Sequence, residues 1–356
     1  MIVSLEKKRK KIDDLDEKIV ELLGERLELA EEIGKEKKVL HKEVYDPVRE
    51  EQIIENLAKK GSFPKEGVDS IFREIFSVSR KAQNPVKVAY LGPETTFTHT
   101  AAMKQFGTQT EFEAKDSIKE VFSSVEKGDA NYGVVPIENS LEGSVSRTYD
   151  RFLVSELNIV AEISLKIKHN LLSKHRLRDI KKIYTHPMAL AQCREWISKN
   201  LPNAEILEVS STAKGAESAG LYINSAGIGS ELAAKKFDLQ VVAENIQDKS
   251  QNFTRFLVIG KNKTKKSEHS KTSIVFSAKH EPGSLFTALE PLKTNKINMT
   301  KIESRPTRMR NWEYVFFVDF QGYIEDEKIE KALGEMKKNT SMLKILGSYP
   351  EKARFE

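Results

Sequence analysis

The sequence predicts a multidomain chain: an all-α N-terminal domain, a central α/β domain, and a C-terminal α+β module of ferredoxin-like βαββαβ order. Three observations predict it. Residues 1–84 hold almost nothing that suggests a strand, while apolar residues recur at helical spacing. From Val86 onward apolar strand-like runs alternate with helical stretches. Beyond the lysine-rich run at 261–271 the order reads strand, helix, strand, strand, helix, strand. A chain of 356 residues is also too long for a single core.

The elements follow in order. Ile12, Leu15, Ile19, Leu22 and Leu23 share a helical stripe that continues through Leu29 and Ile33, which makes one helix of roughly 35 residues. Two short neighbours cannot cover so long a stripe, so an intertwined oligomer, a homodimer or homotetramer, is expected. Asp46-Pro47 reads as N-cap and first residue of a second helix, and Gly61 and Pro64 end it. Val68 to Gln83 form a third helix, closed by Pro85. In the next segment strands are expected at VKVAYLG, YGVVPI, KIYTH, AEILEV, AGIGS and RFLVIG, with helices near Thr98–Phe106 and at PMALAQCREWISKN. About 175 residues of this kind form one domain or two small lobes with a cleft between them. The expected boundaries are 1–84, 85–261, a linker at 262–271, and 272–356.

Composition narrows the function classes. Hydrophobic content of 39%, charge of 31% and a net charge of +5 describe a soluble protein. Its lysines are interleaved with acidic residues, so nucleic-acid binding is not expected. The single cysteine, Cys193, excludes an internal disulfide, reads as a small buried hydrophobe and fits a reducing compartment. No apolar run approaches the roughly 20 residues of a membrane helix, and residues 1–10 lack a secretory signal, so a cytoplasmic location is expected. No metal cluster or phosphate loop stands out.

In the helical segment Arg26 and Lys37 lie 11 residues apart, hence within about 20° of one face and about 16 Å along the axis. They could bracket a small anion. Arg9 is 17 residues before Arg26, about 25 Å away and about 100° off that face, so it could serve only a partner's site. The ordered set Arg9, Arg26, Lys37, Asp46, Arg49, Glu50, Ser79 and Gln83, with LDEKIVELLGERLELAEEIGKEK and DPVREEQIIENL, resembles the all-helical chorismate mutase family. The resemblance implies a pericyclic conversion of chorismate to prephenate, which needs no nucleophile or cofactor. It implies that Arg26 and a partner's Arg9 clamp the two carboxylates, with Arg49 assisting. Lys37 and Gln83 would donate to the ether oxygen, Glu50 would accept from the ring hydroxyl, and Asp46 and Ser79 would support.

In the α/β segment hydroxyl and amide residues collect at strand ends, where open sheets bind anions, although such residues are also routine caps. The histidines at 99, 169, 175 and 186 read as structural or exposed. YLGPETTFTHTAA, GVVPIENSLEGSV, THPMALAQC and NFTRF, in this order, resemble a two-lobed prephenate dehydratase. The resemblance implies loss of water and CO2 from prephenate to give phenylpyruvate. Thr254 would hydrogen-bond the departing hydroxyl, and Asn139, Ser140, Thr185, Gln192, Arg255 and Phe256 would complete the substrate site. Thr95 stands where that family usually has glycine.

In the last segment Gly283-Ser284-Leu285-Phe286 opens a helix and Glu303-Ser304-Arg305-Pro306 closes a strand. The pair resembles the phenylalanine-binding motifs of ACT domains, implicating Gly283, Ser284, Leu285, Glu303, Ser304 and Arg305 in binding L-phenylalanine as effector. The ESRP motif matches fully, whereas Ser284 and Phe286 depart from the usual glycine motif. Three readings remain open from sequence. One is a bifunctional mutase and dehydratase of phenylalanine biosynthesis under feedback inhibition. Another pairs the mutase with an arogenate dehydratase, and the third is a non-catalytic sensor of amino acids or prephenate.

Overall fold

The computed structural model describes residues 2–61, 63–279, 281–306 and 314–352. The helical domain has three helices, α1 (Ile2–Val39), α2 (Pro47–Ala58) and α3 (Lys65–Gln83). Asp46 caps α2 as its side chain accepts the Arg49 N–H, and Pro47 occupies the first turn. Among the residues of α1 whose burial is described, those covered are Arg26, Leu27, Ala30, Gly34 and Lys37, and residues 5–25 are exposed. Gly34 allows the close crossing, since a Cβ there would lie 2.8 Å from Gln83.

The α/β domain begins with β1 (Lys87–Leu91), α4 (Phe97–Phe106), β2 (Glu111–Lys115), α5 (Ile118–Lys127), β3 (Tyr132–Asn139), β4 (Gly143–Ser144), α6 (Ser146–Val154) and β5 (Asn158–Lys166). The chain then builds a second sheet from β6 (Asn170–Ser173), β7 (Lys182–Thr185), α7 (Pro187–Gln192), α8 (Arg194–Asn200), β8 (Glu205–Glu208), α9 (Thr212–Leu221), β9 (Ser225–Gly229), α10 (Glu231–Lys236) and β10 (Gln240–Ala243). It returns to the first sheet with β11 (Phe253–Gly260), which lies antiparallel between β3 and β5. The sheets run β2-β1-β3-β11-β5 and β10-β6-β9-β7-β8, so both are mixed and each lies in its own lobe. The helix expected at PMALAQCREWISKN is broken at Cys193. There the Asp248 carboxylate takes the N–H groups of Glu195 and Trp196 and starts α8 afresh. Cys193 is fully buried, and burial pushes its thiol up to about 12.

The C-terminal module comprises β12 (Ser270–Ala278), α11 (Ser284–Thr294), β13 (Met299–Pro306), β14 (Tyr314–Gln321), α12 (Glu327–Asn339) and β15 (Thr340–Pro350). Its antiparallel sheet runs β13-β14-β12-β15. The helices cover one face around Ile274, Phe276, Val318, Phe320 and Met336. The other face shares a core with the first lobe, where Val275, Phe317, Leu346 and Tyr349 pack with Phe122, Tyr149, Phe152 and Ile159. Tyr45, from the α1–α2 loop, is likewise buried against Phe106 and Tyr132 of that lobe. Both flanking domains therefore pack on the first lobe.

Two candidate active sites

In the helical domain Arg26 Nη1 donates to Ser79 Oγ at 2.6 Å, Lys37 Nζ donates to the Val44 carbonyl at 2.8 Å, and Gln83 lies against Gly34. Burial lowers the pKa of both Arg26 and Lys37, and the charge of Glu50 opposes that in each, so the three lie within Coulomb reach. Gln83 Oε1 is buried without a hydrogen bond. Arg49 is exposed, its N–H on Asp46. Arg9 is exposed on the bare part of α1 and is not brought to this cluster within one chain.

Two residues of this cluster, Arg73 and Arg80, were not expected from the sequence. Glu50 is buried and its Oε1 is bound by Arg80, while its Oε2 lies 3.5 Å from Arg73 Nη1 without a hydrogen bond. Arg73 also pairs with Asp69 and Glu51, at 3.2 and 3.0 Å. The seven-residue spacing of Arg73 and Arg80, straddling Phe76 on one face of α3, was the signal available.

In the α/β domain Thr254 stands opposite Asn139 in the β11–β3 ladder. Asn139 Oδ1 accepts the N–H groups of Leu141 and Glu142 at 2.9 and 3.1 Å, which fixes its amide orientation. Its Nδ2 then donates to Thr254 Oγ1 and to Asn252 Oδ1, both at 2.8 Å. Asn252 Nδ2 donates to Gln192 Oε1 at 2.7 Å, and His169 Nε2 meets the same oxygen at 2.8 Å. Gln192 Nε2 is thereby turned to Glu142 Oε1, 3.2 Å away. This chain of amides crosses from the first lobe to α7 of the second.

Asn252 and His169 were missed as site residues; both are buried, and burial lowers the His169 pKa. A neutral ring with an unpartnered Nδ1 places its proton on Nε2, facing Gln192. Ser140 ties the strand ends together, accepting from Phe253 N and donating to Gln251 O.

Three expected members stand apart from the amide chain. Thr185 is fully buried and donates to the His186 carbonyl at 3.3 Å. Strand alternation sends Arg255 to the opposite side of Thr254, where it bonds Glu162, Asp319 and Tyr349 at 2.8, 2.6 and 2.9 Å. Phe256 is a core residue among Tyr90, Val134 and Ile163.

Family models match in order: chorismate mutase type II over residues 8–84, prephenate dehydratase over 88–264 and ACT domain over 272–337. A bifunctional chorismate mutase/prephenate dehydratase of Aquifex aeolicus is 46% identical over 354 residues, 98% of each chain. One from Pseudomonas aeruginosa is 40% identical over 96% of each. The chain belongs to the bifunctional chorismate mutase/prephenate dehydratase family. It is an enzyme with both activities of that family, an isomerase and a carbon–oxygen lyase. Among solved structures, a prephenate dehydratase of Arthrobacter aurescens in complex with L-Phe matches with a TM-score of 0.69 and 32% identity, over 75% of this chain and 90% of that one. No helix among the described residues is long and apolar enough to cross a membrane.

In the ACT domain Gly283 has φ of +80°, caps α11 and faces open space, with Ser284 and Leu285 half-buried behind it. Along β13, Lys301, Glu303 and Arg305 alternate with the exposed Ile302 and Ser304. Arg305 turns to the dehydratase domain, donating to Ser146 Oγ at 2.8 Å and meeting Asp150 at 3.4 Å. The two halves of the expected effector motif therefore differ in surroundings: Gly283 faces solvent, whereas Arg305 is tied to α6.

Proposed function

We propose that the chain converts chorismate to prephenate in its helical domain and prephenate to phenylpyruvate in the cleft at Thr254, with L-phenylalanine as inhibitor bound at the ACT domain. The observation that carries the dehydratase reading is the Asn139-to-Thr254 hydrogen bond. Because Thr254 Oγ1 accepts there, its own proton is free to donate outward, to the ring hydroxyl that departs. The ring carboxylate leaves as CO2, its electron pair enters the ring, and the hydroxyl departs with a proton as water. Gln192, oriented by Asn252 and His169, ends the same chain of hydrogen bonds. Thr185, Arg255 and Phe256 act on this site through packing and strand position.

For the mutase, Arg26 and the partner subunit's Arg9 clamp the carboxylates, and Lys37 and Gln83 donate to the ether oxygen. Arg49 assists at the mouth. Glu50 keeps Oε2 for the ring hydroxyl, while Asp46 and Ser79 hold α2 and Arg26. The exposed apolar stripe of α1, including Ile12, Leu15, Ile19 and Leu22, supports an intertwined dimer. The ACT domain, in its ferredoxin-like order, presents Gly283 and Ser304 to a neighbouring module, and the enzyme works in the cytoplasm.

Domain limits of 1–84, 85–261 and 272–356, with a linker at 262–271, fit this division of labour. The test is parallel turnover of chorismate, prephenate and arogenate by the full chain. Phenylpyruvate from chorismate is expected, with prephenate preferred over arogenate. Arogenate turnover exceeding prephenate turnover would reassign the second substrate.

A further inference from the structure

A cavity of about 290 Å³ lies where the end of α1, the α1–α2 loop and the stretch between β11 and β12 meet. Two mutase candidates, Lys37 and Asp46, line it, and so do Lys42, Lys263 and Lys265. The last two come from the far side of the dehydratase domain in sequence. Their segment is pinned in place: Asn262 Nδ2 donates to Glu43 Oε1 at 2.6 Å, and Tyr323 OH donates to the Thr264 carbonyl at 2.9 Å. Lys265 Nζ meets Asp46 Oδ2 at 3.2 Å, while Asp46 Oδ1 caps α2. Lys266 turns the other way, to Asp326.

We propose that Lys263 and Lys265 form a carboxylate-binding entrance to the mutase site, so that the dehydratase–ACT linker completes the mouth of the first active site. The inference rests on the mutase assignment above. Its physical basis is charge. Lys37, Lys42, Lys263 and Lys265 face Glu43 and Asp46, which leaves a surplus of two positive charges on the wall. The substrate class is a small dicarboxylate. A cationic concavity raises the encounter rate of such an anion by about 10- to 1000-fold, and salt removes the gain. At about 0.15 M salt the screening length is about 8 Å, so the effect is read best at low ionic strength. Both lysines are exposed, but the backbone that carries them is held from both sides, so their charges stay at the cavity.

The experiment uses the full-length enzyme with chorismate as the probe. Initial mutase rates are measured across ionic strength for wild type, Lys263→Gln, Lys265→Gln, the double variant and the Lys→Arg pair. Dehydratase turnover of added prephenate reports on folding. The double variant is expected to lose about 10-fold in kcat/KM at low salt, with kcat within about twofold and a flattened salt dependence. The Arg pair should restore both. Lys263→Gln alone should show part of the loss, which separates charge from the Asp46 ion pair.

An unchanged kcat/KM and salt slope in the double variant overturns the proposal. A fall in kcat with the slope intact also overturns it, since Lys265 would then act only on the α2 cap. Wild-type enzyme that leaves chorismate intact overturns the mutase assignment itself, an outcome readily told apart from the others.

Discussion

Asn139 presents its amide NH2 to Thr254 because two loop amides already occupy its carbonyl. Asn139→Asp would place a carboxylate oxygen where the NH2 is. The Thr254 proton would then turn inward to that oxygen, and the new charge would repel an anionic substrate. We expect Asn139→Ala to lower dehydratase kcat by about 10²–10³ and Asn139→Asp to lower it further, with mutase turnover unchanged. Equal losses in both would mean that bond direction is irrelevant. Thr95 is a second residue-scale case. Its φ is +69°, its side chain is buried, and its hydroxyl has no partner. A β-branched residue in the left-handed region is strained, so Thr95→Gly should raise stability by about 1 kcal/mol, read from denaturant midpoints. The resemblance had marked that position as a glycine site, and the backbone bears the same requirement. His169 and Asn252, by contrast, were illegible. Nothing in local spacing reveals that two residues 83 apart will hold one glutamine oxygen.

At the scale of elements, α1 was legible because 38 residues of helical spacing leave little choice. Strand β5 was not, because its pattern of burial lacks alternation and Glu162 interrupts the apolar run. That glutamate is buried among Arg255, Lys271 and the Lys352 N–H, partners that come from three distant stretches. The split between α7 and α8 was hidden for a similar reason, since Asp248 imposes it from 53 residues beyond Glu195. The bare two-thirds of α1 makes the element-scale prediction. Arg9 lies about 25 Å along the helix from Arg26. Arg9→Ala and Arg26→Ala should each be nearly inactive as mutases. Mixed after unfolding and reassembly, they should recover activity through hybrids with one intact site. Demonstrated subunit exchange without recovery would refute a shared site.

At the scale of the molecule, the ACT sheet is held on the dehydratase lobe by groups that flank Thr254 and Asn139. Arg255, next to Thr254, meets Asp319 of β14, Lys301 of β13 pairs with Glu138 beside Asn139, and Arg305 reaches α6. Burial alone would raise the Asp319 carboxyl, but the Arg255 guanidinium and the Ser273 hydroxyl outweigh it and hold the pKa below the usual range. A depressed folded-state value contributes stability above about pH 4 that is lost as pH falls through it. ACT docking should therefore loosen below about pH 4, visible as increased amide exchange in β12 and β14 before the lobes unfold. If those strands stay protected until global unfolding, the ion pair does not govern docking. Gly347 marks the tightest approach, since a Cβ there would lie 2.3 Å from the Ile159 carbonyl oxygen.

On the proposed effector site, this arrangement would separate effector binding from effector coupling. Gly283 faces open space at the start of α11, where a ligand's charged end can approach the backbone. Arg305 instead spends its guanidinium on Ser146 and Asp150. Phenylalanine inhibits only to the extent that it binds the two states of the enzyme differently, a coupling of about 1–3 kcal/mol or roughly 5- to 150-fold. Gly283→Val should remove binding and inhibition together. Arg305→Ala should keep phenylalanine affinity within a few-fold, because its partners lie in the dehydratase domain, yet weaken the inhibition that affinity produces. Calorimetric titration beside dehydratase rates at increasing phenylalanine measures the two quantities on the same samples. If Arg305→Ala loses binding as fully as Gly283→Val does, Arg305 belongs to the ligand pocket and not to the transmission of its signal.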